Sequence, residues 1–229
     1  MHASPKISTL WVGLTLLIGL LAFATEGSAT EAEQIRLQWA FGALTGPEDN
    51  PQLLSIEEQA VLHSGDRMKI FLQPKTDCHL YLFYHSSQEE TVVMLPAKGA
   101  GSLIAADDRT TVPRGSDWFR LDEVTGQETF YLIASARPLE KLETLCIRLF
   151  SAGSQPERKA VGRQILSEID RLQKTRRTLT VAAERPIRLG GNFRGLTEET
   201  KPELPDISRI AMEISASDFY SRTFTIDHR

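Results

Sequence analysis

Cysteine occurs only twice, at Cys78 and Cys146, and aromatic residues make up 7% of the chain. A disulfide-framed miniature fold and a multi-cysteine zinc site are thereby excluded. Neither sign of charge dominates: 26 basic and 30 acidic residues leave a net −4, with no broad cationic surface for a phosphate backbone. Nucleic acid is therefore not an expected partner. Absent too are a G-x-S-x-G nucleophile elbow, a Walker lysine and serine, spaced Rossmann glycines and a D-x-[DN]-x-[DN]-G calcium loop. "LGGNFRGL", with Gly190 and Gly191, reads as a tight turn. No internal repeat or low-complexity tract occurs, and no cofactor or metal is implied.

One long apolar run is present, from Leu10 to Phe23, with a single cation, Lys6, before it and small or polar residues after it. That layout predicts a secretory signal peptide, because the run falls short of the roughly 20 apolar residues that a membrane-spanning helix needs. Ala22-Phe23-Ala24 lies inside the apolar run, so cleavage is expected after Gly27-Ser28-Ala29. The mature protein would then carry no permanent membrane anchor. In an oxidising compartment Cys78 and Cys146 could pair, stabilising by about 4 kcal/mol on the chain-entropy model, or stay as two buried thiols.

Beyond the leader, period-2 alternation dominates. Ile35, Leu37, Trp39 and Phe41 alternate with Arg36, Gln38 and Ala40, the pattern of a strand with one buried face. After the "HSGD" turn, Met68, Ile70 and Leu72 share one face, with Arg67, Lys69, Phe71 and Gln73 on the other. "CHLYLFYH" places His79, Tyr81, Phe83 and His85 on one side and Cys78, Leu80, Leu82 and Tyr84 on the opposite one. At roughly 3.3 Å per residue His79 and His85 stand about 20 Å apart, too far for one metal ion. "TVVMLP", "WFRLD" and "ETFYLIAS" continue the strands, and such short, closely spaced strands argue for a sandwich.

The period then lengthens. Leu139, Leu142, Leu145 and Leu149 predict one amphipathic helix, and Val161, Ile165, Ile169 and Leu172 a second, opened by a capping box at Ser154 and Glu157. Lys174, Arg176 and Arg177 form its basic end, read as a solvated terminus. Strand character returns in "ISRIAMEIS" and in "FYSRTFTIDH", where Tyr220, Phe224 and Ile226 share a face, so the helices form an excursion from one β domain.

Candidate contact residues are few. His63, Ser64 and Asp66 resemble a triad only on paper, because the tight turn uses serine, glycine and aspartate for backbone reasons. Asp107 and Asp108, in the loop 97–108, are a weak cation site. His85, Ser86, Ser87 and Gln88 occupy a turn, and Trp118 precedes Phe119 on the opposite face of a strand, so one of the two aromatics is expected at the surface.

The segments "SGDR" (64–67), "LYLFYHSSQ" (80–88), Leu95-Pro96, "WFRLDEVTGQETFYLIAS" (118–135) and "FYSRTFTIDH" (219–228) resemble a bacterial family, the domain of unknown function 4384. The likeness is strongest between Leu62 and Leu145 and again at the last strand; at Leu95 the family commonly has phenylalanine. The resemblance implies a mostly β, non-catalytic module of exported bacterial proteins, found also as an accessory to kinase or caspase-like domains. Neither of those is encoded in this chain.

Together these readings predict a mainly β protein, an antiparallel immunoglobulin-like β-sandwich with an inserted α-helical hairpin. Residues 1–29 would be the signal peptide, 30–136 the main sandwich, 137–180 the hairpin and 181–229 the strands returning to it. The expected function is non-catalytic binding or scaffolding of another envelope or exported protein, in the periplasm or outside a bacterial cell. Two alternatives stand beside it: a small hydrolase using His85, Asp122 and Ser86 or Ser87, and a redox-responsive adaptor using Cys78 and Cys146.

Overall fold

The computed structural model describes residues 34–176, 183–186 and 204–229; the predicted leader, Arg177 and the Gly190-Gly191 turn lie outside them. Nine strands come first: β1 (Ile35–Thr45), β2 (Gln52–Ser55), β3 (Gln59–Leu62), β4 (Arg67–Pro74), β5 (Cys78–His85), β6 (Thr91–Leu95), β7 (Leu103–Ile104), β8 (Thr110–Val112) and β9 (Phe119–Arg120). After them come β10 (Gly126–Ser135), helices α1 (Glu140–Ser151) and α2 (Gln155–Arg176), β11 (Ala183–Pro186), a 3₁₀ turn (Ile207–Ile210), β12 (Met212–Ala216) and β13 (Phe219–His228).

Two sheets result. The first runs β11-β12-β1-β4-β8, with β2 beside the far half of β1 and β9 beside the start of β4. The second runs β3-β13-β10-β5-β6, with β7 also on β5. The mainly β sandwich with a helical insertion is thus present, and the last strand pairs along its whole length with β10 inside the second sheet. One pairing departs from the antiparallel expectation: β3 lies parallel to the end of β13. The reason is its approach: backbone bonds from Thr225 to Glu58 and from Arg229 to Leu62 dock β3 on the free edge of β13.

The inner faces meet as the alternation predicts. Ile35, Leu37, Trp39 and Phe41 of β1 point at Leu80, Leu82, Phe130, Leu132 and Phe224 of the second sheet. Edge-to-face rings bridge the layers, Trp39 to Phe224 at 5.2 Å and Phe41 to Phe130 at 4.9 Å between centroids. Each fully buried side chain of this size contributes about 1.5–3 kcal/mol by leaving water. The core is therefore set mainly between the sheets.

Both outer faces carry a cover as well. On the second sheet, Tyr81, Phe83, Ile133 and Phe219 meet Leu142, Leu145 and Leu149 of α1 and Val161, Ile165 and Ile169 of α2. The predicted capping pair holds: Ser154 Oγ accepts from the Glu157 N–H at 3.4 Å, while Glu157 Oε2 accepts from the Gly153 N–H at 3.0 Å. Tyr81 fixes the entrance of α1, since its hydroxyl accepts from the Leu139 N–H and donates to Glu143, each at 2.9 Å. Where α2 crosses β6, Gly162 is required by space, because a Cβ there would lie 2.8 Å from Thr91 Oγ1.

On the first sheet, Ile207 and Ala211 cover Ala40 and Phe71, with Trp118 packed beside them. The one-faced burial expected for β1 and β4 is corrected by this cover. Lys69, placed by its alternation on the outer face, is only 5% exposed. Its ammonium donates to the carbonyls of Gly115, at 2.5 Å, and Asp117, at 2.8 Å, and lies 5.7 Å from the Trp118 ring centroid.

Cys78 and Cys146 are both free and buried. Their faces decide this: Cys78 points into the inter-sheet core and Cys146 into the helical layer, on opposite sides of the second sheet. The disulfide admitted by the sequence is therefore not formed, and burial pushes both thiols up to about 12, aided by Asp77 at Cys78 and Glu143 at Cys146.

Candidate functional site

At one edge of the sandwich the sheets part, leaving a cavity of about 260 Å³ between β6 and β9. Its walls follow from strand alternation. Glu128 shares the inward face of β10 with Phe130, Leu132 and Ala134, so a carboxylate is carried on an apolar stripe. His228 ends the inward face of β13 after Tyr220, Phe224 and Ile226, and Tyr84 ends that of β5. Register brings them together, with Tyr84 opposite Phe130 and Gly126 opposite His228.

Glu128 is 4% exposed, yet no cation lies within ion-pair distance of it among the described residues. Hydroxyls serve it instead: Tyr84 donates to Oε2 at 2.5 Å and Ser87 to Oε1 at 3.3 Å. Ser87 reaches that position because Gly126 lets the strands close, at a φ of 137°, where a Cβ would lie 2.6 Å from Ser87 Cβ. Burial, followed by the neighbouring Glu128, pushes the Tyr84 phenol well above its ordinary range. Tyr84 is thus held as a hydrogen-bond donor.

His228 is 2% exposed; its Nε2 lies 3.1 Å from Ser64 Oγ, and its Nδ1 is buried without a partner among the described residues. The tautomer with Nε2–H donating to Ser64 leaves no buried N–H unpaired, and so makes Nδ1 a bare acceptor. The "HSGD" turn positions Ser64: Asp66 accepts from the His63 N–H at 2.8 Å, and Gly65, at φ 95°, donates to Leu121 O at 2.9 Å. Met68, Met94 and Phe119 complete the apolar walls, with Val92 (40% exposed) and Phe119 (37%) at the mouth. The cavity therefore combines apolar walls with the buried acceptors of Glu128 and His228, neither of them ion-paired among the described residues, while Asp122 and Arg120 also line it.

The residues singled out in the sequence fall in several places. His85 sits on the helical side of the second sheet, its Nδ1 3.2 Å from Thr91 Oγ1. Ser86 builds its own turn, accepting from the N–H groups of Gln88 and Glu90 at 3.2 Å each. Lys159 of α2 clamps the Gln88 carbonyl at 2.9 Å, and only Ser87 of this group reaches the cavity region. Asp122 lines the cavity but uses Oδ1 to accept from the Val124 N–H at 2.8 Å. Trp118 is half-buried on the outer face of the first sheet, and Phe119 is the exposed member of that pair. Asp107, at φ 65°, is tied to Lys75 at 2.8 Å and its N–H donates to Pro74 O at 2.7 Å; Asp108 is exposed beside it.

The set His85, Asp122 and Ser86 or Ser87 is thus not brought together. Two other serine–histidine pairs are, Ser64 with His228 and Ser102 with His79, the latter at 2.8 Å. Neither has the acid of a relay on the far ring nitrogen: His228 Nδ1 has no partner, and Glu143 approaches the same Nδ1 of His79 that Ser102 contacts. Ser102 donates to Glu143 rather than standing free.

Tyr84, Glu128 and His228 escaped the sequence reading as a group. The signal was present, since Glu128 interrupts an apolar inward face of β10 and His228 follows Phe224 and Ile226 on that of β13, which also carries Arg222, but their meeting depends on the pairing of β10 with β13.

No curated protein and no solved structure matches the chain. A family model does match, over residues 61–138, from the end of β3 to the approach of α1, so that Tyr84 and Glu128 fall inside the matched stretch and His228 outside it. Over those residues the chain is similar to the family described as domain of unknown function (DUF4384).

Proposed function

We propose that this protein is a non-catalytic binding module, exported to the periplasm or the exterior of a bacterial cell, where it holds another envelope protein. The single observation supporting the binding role is the cavity between β6 and β9, apolar-walled and open at Val92 and Phe119 in a sandwich otherwise covered on both outer faces. Export is inferred from the leader in the sequence, Lys6 followed by the apolar run to Phe23.

The competing readings lose support on geometry. A hydrolase would need a nucleophile, base and orienting acid in one place, and the serine–histidine pairs lack that order. A redox adaptor would need Cys78 and Cys146 within about 7 Å between Cα atoms, on one side of a sheet that separates them.

In-cell photo-crosslinking from position 92 or 119, with mass spectrometry of the captured species and of the mature N-terminus, tests the proposal. One reproducible exported partner, together with an N-terminus near Thr30, is the expected result. An uncleaved leader would overturn the location, and turnover of ester, peptide or glycan substrates lost on mutating the cavity would overturn the non-catalytic role.

A further inference from the structure

Two buried acceptors, Glu128 and His228 Nδ1, belong to side chains that line the cavity, and neither is paired with a cation among the described residues. Among the described residues, Glu128, 4% exposed, is bonded only to the hydroxyls of Tyr84 and Ser87, and His228 Nδ1 is buried without a partner. A carboxylate taken out of water is costly unless a cation or several donors satisfy it. Around these acceptors stand the rings of Tyr84, Phe119 and Phe130, aromatic residues of the type whose face attracts cations when desolvated.

Arg120 also lines the cavity, but its guanidinium pairs with Glu48 at 3.4 Å, both side chains exposed, and not with Glu128. The occupant that fits is therefore an elongated group with an apolar stem and a multi-donor cationic head. We infer that the cavity receives a lysine or arginine side chain of the partner protein, its stem between the aromatic walls and its head shared by Glu128 and His228 Nδ1. This rests on the binding role proposed above and names the chemistry of its contact.

Size favours a side chain over a free metabolite. About 260 Å³ lies below the roughly 300–1,000 Å³ typical of small-molecule pockets, and the exposed apolar rim of Val92 and Phe119 suits an abutting chain. The other grooves offer less. Around Lys69 and Trp118 the charges are already paired, Lys69 to two carbonyls and Arg109 to Asp206 at 3.1 Å. The groove at Arg222 likewise contains its own partner, Glu184, at 2.8 Å.

Methyl NMR of the methionines provides the test on the full mature protein, because Met68 and Met94 line the cavity while Met212 does not. The probes are blocked pentapeptides with a central Lys, Arg, Leu or Glu between glycines. Saturable shifts of Met68 and Met94 with the Lys and Arg peptides, none at Met212, and at least tenfold weaker binding in Glu128→Gln are expected. Phe119→Ala, at the exposed rim, gives a second variant expected to weaken the Arg peptide several-fold.

A Leu peptide that binds as tightly as the Lys and Arg peptides would overturn the cationic assignment and leave the binding role standing. Absence of any saturable shift, with crosslinks still captured at position 92, would do the same. Absence of both would remove the cavity as a contact site altogether.

Discussion

Two glutamates are buried in the described part of this protein, and their surroundings differ in kind. Glu168, on the helical hairpin, is 3% exposed and clamped between Lys141 at 2.7 Å and Arg171 at 2.6 Å. Glu128, at the open edge of the sandwich, is buried just as deeply and has hydroxyl partners only. The chain supplies its own cations where α1 and α2 meet. Where the layers part, none is paired with Glu128 among the described residues, although Arg120 lines the cavity, so the first site reads as structure and the second fits the binding role proposed above.

The sharpest way to separate the two regions is to damage each in turn. Ile165, fully buried between α2 and the second sheet, should cost about 2–5 kcal/mol when cut to alanine, since it loses burial and leaves a cavity. Val92→Ala at the mouth, where the side chain is 40% exposed, should stay within about 0.5 kcal/mol. Urea unfolding of both variants checks this, and equal losses would break the distinction.

A smaller effect is expected at the seam. Gly162→Val places new atoms where even a Cβ would approach Thr91 to 2.8 Å, so α2 must lift from β6 at a cost of about 1–3 kcal/mol. The same measurement reads it. No loss would mean that the hairpin is not seated on β6 as described.

Smaller still is the pH response of the paired glutamate. The hydrogen-bonded Arg171 guanidinium, with Lys141 beyond it, holds the Glu168 carboxyl below the ordinary glutamate range against the opposing effect of burial. A folded value below the unfolded one means stability present above the unfolded pKa and lost as pH falls through the folded value. Glu168→Gln should therefore flatten the decline of the urea midpoint below about pH 4.5, near the ordinary glutamate pKa. An unchanged pH slope would sever Glu168 from its cations.

Most of the fold was legible because it rests on local periods. The faces of β1 and β5, the helices from Leu139 and Val161, and the Ser154 cap all follow from spacing along the chain. Burial of Phe71 was not legible, since it depends on residues near Ile207 folding back over β4 from far along the chain, nor was that of Lys69, which rests on the carbonyls of Gly115 and Asp117 and on Trp118. The parallel docking of β3 hides in the same way, four residues against the last strand. For the cavity, the polar members stood visibly out of pattern, Glu128 among Phe130, Leu132 and Ala134, and His228 after Ile226. Their convergence with Tyr84 needed three strands in register, which no spacing within one strand reveals. The turn residues His85, Ser86 and Gln88 drew attention for their chemistry, whereas their hydrogen bonds are spent on the turn and on Thr91.

The contrast between the two glutamates is tested most directly by unfolding Glu128→Gln and Glu168→Gln side by side, in the absence of any partner. The account predicts opposite signs. Glu168→Gln should lose about 0.5–1.5 kcal/mol, because two charge-assisted bonds go and their cations are partly solvated already. Glu128→Gln should gain up to about 1 kcal/mol, because a buried charge with no cation becomes a neutral amide that Tyr84 can still bond. A comparable loss in both variants would contradict the account, for Glu128 would then be a satisfied structural group and not an anion held open for a visiting cation.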